Sequence, residues 1–371
     1  MGMGSRNNDV ILSSQFAAIL SVTIIGVGIL SLPRLVVEGA GPDNWILLLA
    51  ASGAALFVGL VMAFVVKKFP GKTYLELTQT MFGKPIGTLI TLGFSFYLVI
   101  FCAAEVRIFG EVTKQYLLFN TPLEVLSVTL LVLAVYLARS GIETIARMAE
   151  VIFPIATVIA ILMVLPVLPE LDVSYILPII RTPFMDFVKA VPTIFFSYLG
   201  IEFILLYGSF VKDTKKVHKS VLLTVGLVTW FYLSVTWLTV SRFGLIETTH
   251  ITWPALELFK TVDIPGAFLE NIEAFIMAIW IFSVFMTLAV AYFGASLTLS
   301  QAIKSKEQNY LVLPLLPIIY FVAMIPDNIA QVTEFMDLYA FYMGTLYITI
   351  IPVALLIMSF FKKDKRGKKS A

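Results

Sequence analysis

Charge is scarce in this chain. Asp, Glu, Lys and Arg make up 13% of its 371 residues, against about a quarter in an ordinary soluble domain. Cysteine and histidine are scarcer still. Cys102 stands alone, which excludes an intrachain disulfide and a cysteine-based zinc site. His218 and His250 are the two histidines, and both fall in predicted loops, so neither a histidine metal site nor a Ser-His-Asp triad is expected. Apart from Glu105 and Glu202, the apolar stretches offer almost no convergent acid or base groups. An enzyme, a metal ion and a cofactor are therefore not expected. The opening MGMGSR has Arg6 where a myristoylation signal needs Ser or Thr. The first apolar run is too long for a signal peptide and lacks a small-residue cleavage pattern. The chain is expected to be anchored by its own helices.

Apolar residues are what it has in excess: 59% of the chain, with a mean hydropathy of +0.94. Ten apolar runs of about 22 residues each read as membrane spans. They cover roughly 11–37, 44–66, 86–117, 122–138, 149–169, 187–211, 220–242, 271–303, 310–326 and 338–361. The reading is an all-α polytopic integral membrane protein. Alternate connections carry Arg6, Lys67, Lys68, Lys72, Lys84, Arg139, Arg147, Lys212, Lys215, Lys216, Lys219, Lys304 and Lys306. With six more in the tail KKDKRGKK, that is 19 of the 26 basic residues. The opposite loops hold mostly acids, so the positive-inside rule puts both termini in the cytoplasm. The basic tail, 362–371, reads as a topology determinant near anionic lipid rather than a nucleic-acid site. No soluble domain is expected in 1–371. The connection at about 244–270 suggests a short helix around Pro254 to Phe259, and 69–83 an amphipathic helix at the interface.

Span one contains TIIGVGILSLPRL, with Gly26 and Gly28 in mid-membrane. Glycine there has two ordinary explanations, close helix packing and background enrichment. Span six, PTIFFSYLGIEFILLYG, has Pro192, Gly200 and a mid-span Glu202, and it too looks interrupted. The two spans are five apart, and a five-helix unit repeated after an odd number of crossings enters the membrane inverted. Interrupted helices at matching positions of inverted halves point to a transporter-type binding site. Unwound backbone in hydrocarbon persists only where its N–H and C=O groups face a polar cavity or a ligand. The half-helix beginning near Gly28 aims N–H groups at the midplane, suited to a carboxylate. The half-helix ending near Ser197 and Tyr198 offers carbonyls, suited to an ammonium. A free amino acid has both groups.

GVGILSLPR, SYLGIEF, TWPALELF, FLENIEAF and IPDNIAQV, spread over about 11–361, resemble the B subunits of bacterial spore germination receptors. These form the endospore germination permease family, within the amino acid–polyamine–organocation superfamily. The resemblance implies a LeuT-like 5+5 inverted repeat, 11–169 and 187–361, with helices one and six broken. It implies a nutrient sensor of the spore inner membrane, for L-alanine or a similar amino acid, acting with an A-type membrane subunit and a C-type lipoprotein. The ligand pocket it implies lies between spans one, three, six and eight. Carried onto this chain, that selects Gly26, Val27, Gly28, Ser197, Tyr198, Leu199, Gly200, Thr287 and Ala291. The small residues either leave room for a ligand or allow tight packing.

Span three adds three ionisable residues, which are costly inside a membrane and face protein or water. Arg107 and Glu111, at i,i+4, are placed to pair. Glu105 points elsewhere, as a partner for another helix or as a functional acid. Phe101, one turn away, either walls the pocket or is a lipid or core contact. Glu202 either caps the half-helix that follows it or binds a proton or cation. Span five has no Lys and span one no acid, so coupled transport is in doubt while ligand binding is not. A sensor and a secondary transporter both fit this pattern.

Overall fold

The computed structural model describes residues 10–165, 167–176, 181–260 and 272–362. The N-terminal MGMGSR, Phe268 to Asn271 of FLENIEAF and residues 363–371 of the basic tail lie outside them. Every described membrane-length element is helical, and the only extended pairing among the described residues is a single bridge, Ile11 to Val211.

Helices cover all ten predicted spans. Helix one is α1 (Ser13–Ile25) and α2 (Gly28–Ala40), and helix two is α3 (Asn44–Lys68). A short α4 (Tyr74–Phe82) precedes helix three, α5 (Lys84–Tyr116). Helices four and five are α6 (Leu123–Arg139) and α7 (Ile142–Val164). Helix six is α8 (Phe184–Phe195) and α9 (Phe203–Tyr207), followed by helix seven, α10 (Val217–His250), and the short α11 (Pro254–Lys260). Helices eight and nine are α12 (Ile272–Ile303) and α13 (Asn309–Ala323). Helix ten is α14 (Ile329–Tyr339) and α15 (Ile351–Phe361), joined by a π-helical stretch, Ala340–Ile350. Seven helical stretches among the described residues are at least 18 residues long and apolar enough to cross a membrane.

One expectation changes. His218 and His250 are not in loops: both belong to α10, whose 34 residues outrun the bilayer and carry polar residues at each end. A kink at Gly244 (φ 76°) sets off the last turns, Leu245 to His250. The segment at 69–83 contains the expected short helix, α4, and the bundle holds it firmly. Thr73 and Glu76 form a capping box on α4, and Tyr74, Leu77, Thr78 and Met81 are buried. The Thr78 hydroxyl meets Thr91 at 3.1 Å and the Gly87 carbonyl at 3.0 Å, which fastens α4 onto α5.

Contacts at the bundle ends hold the halves together. At one end the Ile11 N–H donates to the Phe210 carbonyl (2.9 Å) and the Lys212 N–H to the Ile11 carbonyl (3.0 Å). The lead-in to helix one is thus paired with the exit of helix six. Lys68 donates to the Ser359 carbonyl (2.6 Å) and Lys362 to the Met81 carbonyl (2.8 Å) at that same basic end. At the far end Asp43 accepts the Arg181 and Thr182 N–H groups, each at 2.7 Å, and Tyr116 donates to Glu257 of α11 at 2.8 Å. One continuous apolar core runs between these ends through nearly every helix.

Candidate functional site

Helix one stops being helical at Gly26 and Val27. The Gly26 N–H still reaches the Val22 carbonyl at 3.3 Å, and regular bonding resumes from Leu30, whose N–H meets the Val27 carbonyl at 3.2 Å. Between them the Val27 N–H is turned toward the carboxyl group of Glu105. A Cβ at Gly26 would lie 3.1 Å from the Thr287 hydroxyl and 3.3 Å from its methyl, so this turn sits directly on α12. Thr287 in turn spans two carbonyls, Ser283 at 3.0 Å on its own helix and Val22 at 3.1 Å on helix one.

Helix six breaks over Phe196 to Glu202. Gly200 has φ +109°, a conformation that costs an L residue about 1–3 kcal/mol, and it rests on Thr23 and Ile24 beside the first break. Glu202 turns back across the interruption. Its Oε2 accepts the Gly200 N–H at 2.8 Å and its Oε1 accepts the Tyr97 hydroxyl at 2.6 Å, so both oxygens are used inside the protein. Tyr97 is itself stacked on Phe94 and Tyr339.

The two breaks meet at Tyr232 of α10. Its hydroxyl lies 2.8 Å from the Ile24 carbonyl, the end of α1, and 2.8 Å from the Ser197 carbonyl, near the end of α8. One O–H has one proton, so one of these buried carbonyls is always under-served. Tyr232 was not among the candidates read from sequence. The signal was a phenol in the middle of an apolar span, where a hydroxyl needs a partner.

The predicted residues divide into two groups. Gly26, Val27, Gly28, Glu105, Ser197, Gly200 and Thr287 converge: Val27 on Glu105, Gly26 on Thr287, and Gly28 near the Ser197 carbonyl. Glu105 is only 4% exposed, and its Oε2 has no hydrogen-bond partner among the described residues. An unpaired buried carboxylate oxygen is expensive, and it faces the opened turn of helix one. The other group stands apart. Tyr198 sends its hydroxyl to Ser52 (2.5 Å) and Thr229 (2.9 Å), so only its backbone belongs to the break. Leu199 continues that backbone, and Phe101 packs edge-on to Phe203. Ala291 is fully buried one turn beyond Thr287. Arg107 pairs with Glu111 at 2.8 Å and reaches the Ala323 carbonyl at 3.5 Å, which ties the end of α13 to α5. Among the described residues no group of three or more His, Cys, Asp or Glu could hold a metal.

Ten spans with interruptions in the first and sixth, meeting at mid-bundle, define a transporter-like membrane protein of the LeuT type, a 5+5 inverted repeat. The fold matches that of Mhp1, a nucleobase-cation-symport-1 family transporter solved in a closed conformation with bromovinylhydantoin bound. The TM-score is 0.65 at 14% identity, over 93% of this chain and 80% of that one. The chain belongs to the spore germination protein family, the permease family whose model matches residues 10–332. It is 31% identical to spore germination protein YndE of Bacillus subtilis, over 97% of this chain and 98% of that protein. It is 28% identical to spore germination protein B2 of the same species, over 95% and 96%, and 25% identical to GerLB of Bacillus cereus, over 96% of each. This is a family of permease-like membrane proteins and not an enzyme family.

Proposed function

We propose that this protein is the germinant-sensing subunit of a spore germination receptor and that it binds a free amino acid where helices one and six are broken. The observation that carries the reading is the buried Glu105 carboxylate, with one oxygen unpartnered, set against the opened turn at Val27. The ligand carboxylate faces the first N–H groups of α2, which lack intrahelical acceptors and sit at the positive end of the helix dipole. The ligand ammonium faces Glu105 and the Ile24 and Ser197 carbonyls, completing the hydrogen bonding that Tyr232 supplies by halves. The role is non-enzymatic.

Binding energy spent on one arrangement of the breaks shifts the bundle toward it, and a sensor needs only that differential affinity. The shift passes to an A-type membrane subunit and a C-type lipoprotein in the spore inner membrane. Both termini face the cytoplasm, and 11–169 and 187–361 act as the two halves. Isothermal titration of the purified protein against the twenty amino acids tests the site. Glu105→Gln is expected to weaken binding at least tenfold, because a charge-assisted bond to the ammonium is lost. Unchanged affinity removes Glu105 from the site.

The likeness to Mhp1 supports a second reading, a secondary amino-acid transporter using the same pocket. Saturable counterflow of labelled amino acid in proteoliposomes supports that reading. Binding without counterflow supports the sensor.

A further inference from the structure

Beside the break in helix one lies a cavity of about 140 Å³, walled by helices one, five, seven and eight and roofed by α11. Val22, Ile25 and Ile29 face it from helix one, and Ala156 and Ala160 from α7. None of the eleven residues expected to bind ligand lines it. Two of its three hydroxyls are engaged on their own helices, Thr157 donating to the Phe153 carbonyl (2.8 Å) and Ser234 to the Trp230 carbonyl (2.8 Å), and the third is that of Ser283. An apolar cavity of roughly 150 Å³ stays dry and accepts a guest the size of benzene. A lysine ammonium would be poorly served there, because the unpartnered polar group on the wall, the Trp280 indole N–H, is itself a donor.

The cavity adjoins the breaks. The Thr287 hydroxyl binds the carbonyls of Val22 and Ser283, both of which line the cavity, and Gly26 lies against Thr287. A ligand held by its α-amino and α-carboxyl groups at Gly28 and Ser197 therefore projects its side chain toward this space. We infer that the cavity is the specificity pocket, and that the ligand is an amino acid with a branched aliphatic side chain of leucine size rather than glycine or alanine. This rests on the zwitterion reading above. The competing occupant is a lipid acyl chain, because Ile161 and Trp230 at the cavity edge are also exposed on the outside of the bundle.

Titration of the protein in lipid nanodiscs with glycine, alanine, leucine and lysine tests the inference. Leucine is expected to bind roughly fifty-fold tighter than alanine, from three additional buried carbons, and lysine not at all. Ala160→Leu fills the cavity and should reduce the leucine preference below about five-fold. Ile25→Ala, a safer variant for folding, enlarges the cavity and should move the preference toward phenylalanine. Alanine and leucine binding alike in the wild type overturns the cavity assignment and leaves the zwitterion site standing. Failure of every amino acid to bind overturns both. Native mass spectrometry that finds a phospholipid retained by the wild type and lost in Ala160→Leu, with leucine affinity unchanged, gives the cavity to lipid and also overturns the assignment.

Discussion

Tyr232 has one proton to divide between the Ile24 and Ser197 carbonyls, and that division makes a prediction at the scale of a single residue. Tyr232→Phe strips both carbonyls of their donor in a buried site, at a cost of about 1–3 kcal/mol. The unliganded variant should melt at a lower temperature than the wild type. A bound ammonium restores the missing donors, so the rise in melting temperature on adding ligand should be larger in Tyr232→Phe. An equal or smaller rise means that the ammonium does not lie at these carbonyls. Gly200 gives a prediction independent of ligand. Its φ of +109° and its contact with Thr23 leave an added methyl strained and crowded, with Cγ2 of Thr23 only 3.1 Å away. Gly200→Ala should cost about 1–3 kcal/mol in thermal or denaturant unfolding. Full stability would mean that the break relaxes freely.

At the scale of elements, a broken helix survives only if something else satisfies its backbone. Helix six uses Glu202, whose two oxygens close the circuit from the Gly200 N–H to the Tyr97 hydroxyl. Glu202→Ala strands both donors and should cost about 3 kcal/mol, each unsatisfied buried group contributing 1–3. Glu202→Gln retains an amide oxygen to accept one of them and should recover part of that loss, as read by melting temperature in detergent. Equal stability of the Gln and Ala variants would show that the circuit is not what holds the break. Helix one has no comparable internal cap. Its Val27 N–H faces Glu105 on another helix, and Oε2 of Glu105 has no partner among the described residues. Helix six is thus closed by its own acid, whereas helix one leaves an acceptor on Glu105 unmet among the described residues.

For the whole molecule the testable quantities are orientation and flux. Cys102 is the only cysteine and is buried, so single cysteines introduced at either terminus can be labelled without background. Impermeant maleimide is expected to reach neither terminal cysteine in intact right-side-out vesicles and both after permeabilisation. Labelling of one terminus from outside would contradict ten crossings. The pairing of Ile11 with Val211 and the clamp of Lys68 on Ser359 join the start of helix one, the end of helix six and the end of helix ten at one face.

The membrane class, the ten spans and the two interruptions were legible in the chain itself. Long apolar runs have one stable outcome in lipid, and Gly26, Gly28 and Gly200 mark where a helix is easily left. The pairing of Arg107 with Glu111 follows from i,i+4 spacing alone. Burial and partnership across helices were not legible, because they depend on which faces meet. Only the tertiary structure set Tyr232 between two carbonyls, spent both oxygens of Glu202 while leaving one of Glu105 free, and turned the Tyr198 hydroxyl away toward Ser52. It alone opened the apolar cavity between helices that share no motif, because a void is a property of how four long helices and the short α11 pack and not of any one of them.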